Sequence, residues 1–249
     1  LLMTLLIGIG RQGLLAVLMW LALVTAAHAV PGCIALDLGF GLGAVPWIPK
    51  AFSRFKRDTR YSLQIDGDST VLQAQAHASA SLYATLFKTP LSPAPDLLSW
   101  RWKTERLIPG ADNRDKDRED SPVRVMVAFD GDIRSLPAAE QRRFALSWTL
   151  SREAPPFAVL EYVWSEQVPV GTVIASTHTT QVKMVVASSG QAGLGQWQLI
   201  QRNLRDDYVR AYGVAPGPVL NVAVMTDTDN TRQQAVGFYA DIRLGCQSP

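Results

Sequence analysis

Apolar side chains alternate with polar or small ones, with a period of two, along much of this chain, and that alternation restricts its fold more than any other feature. The runs Tyr61-Ser62-Leu63-Gln64-Ile65, Val71-Leu72-Gln73-Ala74-Gln75-Ala76 and Ser81-Leu82-Tyr83-Ala84-Thr85-Leu86 show it first. Successive side chains of an extended backbone point to opposite faces, so each run predicts a half-buried strand. Asp66-Gly67-Asp68, between the first two, supplies the positive φ of a tight reversal and predicts a hairpin. Further strands are predicted over 98–103, 123–129, 157–164, 181–187, 219–226 and 236–244. Helices do not alternate with them, which favours an antiparallel β-sandwich over a parallel α/β sheet.

Two short helices interrupt the strands. Ser135 followed by Leu136, Pro137 and Glu140 reads as a helix start running to about Phe144. Leu204, Tyr208 and Tyr212 fall at steps of four behind Asn203, and Gly213 ends that helix before Pro216. The charged segment 109–122 has no apolar periodicity and is expected to be a solvated loop.

The first 29 residues differ from the rest. Their only ionised side chain is Arg11, followed by the apolar run Leu14 to Val24 and then Ala27-His28-Ala29. Small residues at the first and third positions of that tripeptide suit a signal peptidase, so 1–29 is read as a signal peptide, leaving a periplasmic or secreted protein with no stable membrane span. Residues 30–49 then form a lead-in segment and 50–249 a single sandwich domain. Cys33 and Cys246 stand near the two mature ends. In an oxidising compartment they form one disulfide or remain two thiols.

Composition narrows the function. With 24 basic against 22 acidic side chains the chain lacks the excess that holds a protein to nucleic acid. After the leader only His77 and His178 remain, without a Gly-x-Ser-x-Gly elbow or zinc-ligand spacing. Asp227, Asp229 and Asn230 set three oxygen-bearing side chains within four residues, the hard ligands that Ca²⁺ takes, although a polar turn bonding its own backbone uses the same residues. Tyr239, Asp241 and Arg243 share one face of the last strand, opposite a core face of Phe238, Ala240, Ile242 and Leu244. Trp100 and Trp102 share a face opposite Arg101 and Lys103 and serve either as a sugar-stacking platform or as core. Arg124, Glu161 and Asp207 are candidates for buried salt links. Glu153 and Glu161 are the acids near strands that a hydrolytic pair would need.

Leu98-Ser99-Trp100-Arg101-Trp102-Lys103, Val123-Arg124-Val125-Met126-Val127-Ala128-Phe129, Glu161-Tyr162-Val163-Trp164, Trp197 with Arg202-Asn203-Leu204-Arg205-Asp206-Asp207-Tyr208, and Met225-Thr226-Asp227-Thr228-Asp229-Asn230-Thr231 resemble the bacterial domain of unknown function 3047 family over about residues 50–245. The resemblance implies an exported protein without supplying a reaction. Glu161 stands where Asn is expected before Tyr-Val-Trp, which weakens a catalytic role for it. The opening strands, the Trp100–Trp102 run and Tyr239-Ala240-Asp241-Ile242 are also similar to jelly-roll, galactose-binding-like carbohydrate-binding modules. The expectation is a non-catalytic sandwich holding a glycan or other polar envelope ligand through Trp100, Trp102, Arg124, Tyr239 and Asp241. Ca²⁺ at Asp227, Asp229 and Asn230 would accompany it. The alternatives are a carboxylate-dependent hydrolase of envelope glycans and an assembly protein.

Overall fold

A computed structural model describes residues 35–41, 43–52, 55–151 and 154–246. The strands are β1 (Leu36–Asp37), β2 (Trp47–Ala51), β3 (Arg60–Asp66), β4 (Ser69–His77), β5 (Ser81–Thr85), β6 (Leu97–Thr104), β7 (Ser121–Phe129), β8 (Ala158–Ser165), β9 (Val173–Ala175), β10 (Val182–Ser189), β11 (Gln198–Asn203), β12 (Val219–Asp227) and β13 (Gln234–Gly245). The helices are α1 (Ala138–Ser151) and α2 (Leu204–Tyr212). Two sheets stack. One is six-stranded in the order β11-β6-β13-β4-β3, with β1 also on β13, and the other is seven-stranded in the order β2-β5-β12-β7-β8-β10-β9. The architecture is the expected β-sandwich, antiparallel except where β8 and β10 run parallel, with β9 folding back onto β10. Among the described residues no helix is long and apolar enough to cross a membrane.

The hairpin forms as its sequence demands: Asp66 pairs with Ser69, and Gly67 takes φ +59° at the first central position, a backbone conformation that glycine adopts without strain. Asn203 caps α2 by accepting the Asp206 amide at 2.9 Å, and Gly213 closes it at φ +76°. Leu204 and Tyr208 then face inward, and Tyr208 meets Phe129 edge-on at 4.6 Å between ring centroids. Asp207, on the same helix, buries its carboxylate against Arg202, Arg210 and the Tyr162 hydroxyl at 2.6, 2.7 and 3.0 Å.

Between the sheets, Leu72, Trp100, Trp102 and Tyr239 meet Val125, Val127, Tyr162, Trp164 and Val224. Trp100 touches Trp102 at 5.2 Å and Tyr162 at 5.0 Å, and Trp102 reaches Trp164 at 6.2 Å. Removing such rings from water contributes about 1.5–3 kcal/mol each, which makes this aromatic seam a main source of cohesion.

Four expectations need correction. The described part of the lead-in segment 30–49 contributes strands to the sandwich: β1 pairs with β13, Leu36 opposite Leu244, and β2 pairs with β5. The first helix runs on to Ser151 instead of ending near Phe144. The charged segment 109–122 is not a free loop, because Ala111, Asn113 and Asp120 are buried and the Asn113 amide donates to the Glu119 carbonyl at 3.2 Å. Finally, β13 does not keep one inward face. Tyr239 is inside and Phe238 outside. A bulge between Ala240 and Arg243, with Asp241 at φ +50°, then shifts the register, so that Ile242 and Leu244 turn inward. The signal segment 1–29 and Cys33 lie outside the described residues.

Candidate functional site

Arg124 is the charged residue in an otherwise apolar strand, and its surroundings explain how it is tolerated. It points from β7 to the outer side of the seven-stranded sheet, yet only 1 % of it is exposed. A buried guanidinium needs partners for its fixed fork of donors. Its Nε and Nη2 reach the two oxygens of Asp227 at 2.8 and 3.0 Å, Nη1 reaches Glu161 Oε2 at 2.9 Å, and Nη2 also donates to the Glu119 carbonyl. The Ser121 amide adds a bond to Asp227 Oδ1 at 3.1 Å. From the other sheet the Tyr239 hydroxyl accepts the Arg124 amide at 3.2 Å and donates to the Met225 carbonyl.

Acids outnumber cations here. Desolvation raises the Asp227 carboxyl to about 7 against the pull of Arg124, with the neighbouring Asp120 charge raising it further. Burial likewise raises Glu119, whose Oε1 lies 3.8 Å from His178. Asp120 does not touch Arg124. It accepts the Asn230 and Thr231 amides at 3.2 and 2.7 Å and the Thr231 hydroxyl at 2.5 Å, tying segment 109–122 to the turn after β12.

The residues proposed for cation binding are therefore spread over different tasks. Asp227 neutralises Arg124, Asp229 meets Lys56 at 2.5 Å, and the Asn230 amide donates to the Lys116 carbonyl at 2.7 Å. The carboxylates that converge, within 4.8 Å of one another, are Asp120, Asp227 and Asp229. Asn230, which carries no carboxylate, lies beside them with its side-chain amide on the Lys116 carbonyl, and Asp120 was not singled out because it closes a long run of charged residues. These three could hold a hard cation, but each already serves a guanidinium, an ammonium or backbone amides.

The ligand-binding set divides in the same way. Trp100 and Trp102 are wholly buried, so they supply core and offer no stacking face. Arg124 and Tyr239 are buried in the cluster just described. Asp241 stands apart from it on the six-stranded sheet, half-exposed and 2.5 Å from Arg101. Glu161, a candidate for a hydrolytic pair, gives its carboxylate to Arg124, while Glu153 lies outside the described residues.

An accessible surface is the outer face of the six-stranded sheet, which the strand reading addressed through Arg101, Lys103 and Asp241. Antiparallel register sets Lys103 opposite Phe238, Phe238 opposite Gln73 and Gln73 opposite Ser62, so these side chains lie level across four strands. Trp197, immediately before β11, extends the row. Arg101 and Lys103 sit 5.0 and 5.2 Å from its ring, Lys103 sits 4.8 Å from Phe238, and the Trp197 indole donates to Asp66 at 2.7 Å. One step along the strands, Gln75 donates to Gln73 at 3.0 Å. The result is an open, level surface of two aromatic rings, side-chain amides and paired charges. The Trp197 contribution was missed because it follows a glycine-rich turn, outside any alternating run.

Fold and site together define a two-sheet jelly-roll sandwich with one covered and one open outer face. The chain belongs to the family described as protein of unknown function (DUF3047), whose model matches residues 45–243. No curated relative matches in sequence. Among solved structures the chain is similar to the family 11 carbohydrate-binding module of a cellulosomal cellulase of Clostridium thermocellum, at 7 % identity, with 88 % of this chain and 97 % of that one covered and a TM-score of 0.43. It is similar to a family 30 carbohydrate-binding module from a cellulosomal cellulase of the same organism, at 11 % identity, 87 % and 99 % coverage and a TM-score of 0.44. A third is the xyloglucanase domain of NopAA, a type three effector from Sinorhizobium fredii, at 8 % identity, 79 % and 91 % coverage and a TM-score of 0.39.

Proposed function

We propose that this protein is a non-catalytic glycan-binding domain of the cell envelope, acting in the periplasm or outside the cell, with the open face of the six-stranded sheet as its binding surface. The observation that supports this reading is the level row Trp197, Lys103, Phe238, Gln73. Sugar rings present C–H faces to aromatic rings and hydroxyls to amides and charges, and such a row offers both across several strands. The sandwich beneath it fixes the backbone, so little order has to be gained on binding. The side-by-side course of β1 and β13 also favours the disulfide between Cys33 and Cys246, because it runs the chain's two ends past each other.

The test is affinity electrophoresis through gels containing envelope and plant-type polysaccharides, with Trp197→Ala and Phe238→Ala beside the wild type. We expect at least one polymer to retard the wild type and both variants to migrate as if no polymer were present. Equal retardation of wild type and Trp197→Ala by every polymer would remove the open face from consideration.

A further inference from the structure

We infer that the glycan bound by this face is an acidic one, and that a second, cationic subsite beside the aromatic row takes its carboxylate groups. This rests on the glycan reading above and names the substrate class for the same face. The subsite is a concavity of about 500 Å³ whose walls include Arg57, Arg60, Arg106, His77, Gln75 and Gln234, with Asp58 as the one carboxylate among its lining residues. It borders the aromatic row on the same face of the sheet. Gln75 pairs with Arg60 on one side and with Val236 on the other, one strand repeat from the pairs of Gln73 with Ser62 and Phe238. A chain that follows the row to Gln73 and turns along β4 passes Gln75 and enters the concavity.

The gathering of unpaired guanidiniums in one concavity separates this place from the rest of the surface. Many arginines elsewhere meet acids within 4.0 Å, as Arg101 meets Asp241, Arg114 meets Asp112, Arg205 meets Asp96 and Arg243 meets Asp37, and Arg142 and Arg232, unpaired among the described residues, line no such concavity. Among the described residues, none of Arg57, Arg60 and Arg106 has a carboxylate in such reach. Three guanidiniums against one carboxylate in a concave site raise the local concentration of anions, and each guanidinium can take a carboxylate through two parallel hydrogen bonds. The Arg57 side chain and the backbone around it are also held in place. The Arg57 side chain donates to the His77 carbonyl at 3.5 Å and its own carbonyl accepts the Ala80 amide at 3.0 Å. Thr59, between Arg57 and Arg60, is buried and donates to the Thr226 carbonyl at 2.8 Å. The backbone under the subsite is thus set before any ligand arrives.

The experiment measures binding of the full chain to polygalacturonate, to the same polymer with its carboxylates methyl-esterified, to a neutral β-glucan and to polyglutamate. The wild type and the double variant Arg60→Gln/Arg106→Gln are compared, with Arg60→Lys/Arg106→Lys retaining charge but losing the bidentate fork. We expect the wild type to bind polygalacturonate about tenfold or more tightly than its ester, with the preference weakening as salt is raised. The Gln variant should lose that preference, keep the wild-type midpoint of thermal unfolding and bind the ester as the wild type does. The Lys variant should fall between. Equal binding of ester and acid would overturn the acidic inference and leave the glycan reading standing. Polyglutamate bound as tightly as polygalacturonate would overturn it too, because charge alone would then suffice. If neither polygalacturonate, its ester nor the glucan binds, the glycan reading itself fails.

Discussion

The two outer faces of the sandwich carry charged residues in opposite circumstances. On the seven-stranded sheet, β7 and β8 are buried at every position, so both of their faces lie under other parts of the chain. Val168, between β8 and β9, packs against Val163, Met184 and Val186, while segment 109–122 lies over Arg124. On the six-stranded sheet, β6 alternates strictly between buried and half-buried positions, leaving Arg101 and Lys103 in reach of solvent. Charge on the covered face is therefore consumed in holding loops down, whereas on the open face Arg101 and Lys103 meet Asp241 and Asp66 in pairs that stay in reach of solvent. The same residue type, arginine, is architecture in one place and, on the reading proposed above, meets a ligand in the other.

The sharpest way to break this contrast is to remove one arginine from each face. Arg124→Ala leaves Asp227 and Glu161 buried without their cation, and breaking a buried pair costs about 3–5 kcal/mol. For a domain of this size we expect a fall in the thermal midpoint on the order of 10 °C, with segment 109–122 exchanging its amide protons faster. Arg101→Ala removes a pair open to solvent and should cost less than about 1 kcal/mol. Paired thermal melts decide it: equal losses would show that the open face is as structural as the covered one.

The same contrast explains what was legible in the sequence. The order Leu98-Ser99-Trp100-Arg101-Trp102-Lys103 displays its two faces because one of them meets water. The strand Val123 to Phe129 does not, since both of its faces are apolar and only Arg124 interrupts them. That interruption, with Glu161, was sufficient to predict a buried salt link, because a charge inside an apolar strand has to be paired. The helix at Leu204 was readable from its cap, its step of four and its closing glycine, all local signals. Asp120 was not readable. Its role depends on the turn at Asn230 and Thr231, over a hundred positions away, and nothing in its charged neighbourhood separates it from Asp115 or Asp117. Nor was the bulge at Asp241, which requires a non-glycine residue at positive φ and so runs against local preference.

Acidity offers a second, smaller test of the covered face. Asp227 titrates near 7 in the folded chain and near 4 when unfolded. A carboxyl raised in this way contributes stability that is fully present below the unfolded value and is lost as pH rises through the folded one. Stability from this group should thus decline from about pH 4 to about pH 7, and Asp227→Asn should abolish that decline while lowering stability across the range. Urea titrations at several pH values measure both. A wild type whose stability climbs between pH 5 and pH 7 by the same amount as the variant's would mean that Arg124 fully controls the carboxyl, and that the surplus of acids around it carries no cost.

The smallest effect expected is from calcium, and its smallness follows from the partners already present. Asp120, Asp227 and Asp229 converge closely enough to share an ion. A cation entering there would compete with Arg124 for Asp227, with Lys56 for Asp229 and with two backbone amides for Asp120. Displacing a buried guanidinium recreates the penalty that the pair exists to avoid, so the gain from three carboxylates is offset by the loss of their present partners. We expect calcium and a chelator to leave the thermal midpoint of the wild type unchanged. Lys56→Ala frees Asp229 without disturbing Arg124, and is the variant in which calcium should first raise the midpoint. A midpoint that already rises with calcium in the wild type would show that the covered face, too, keeps charge in reserve for a ligand, and the division between the two faces would no longer hold.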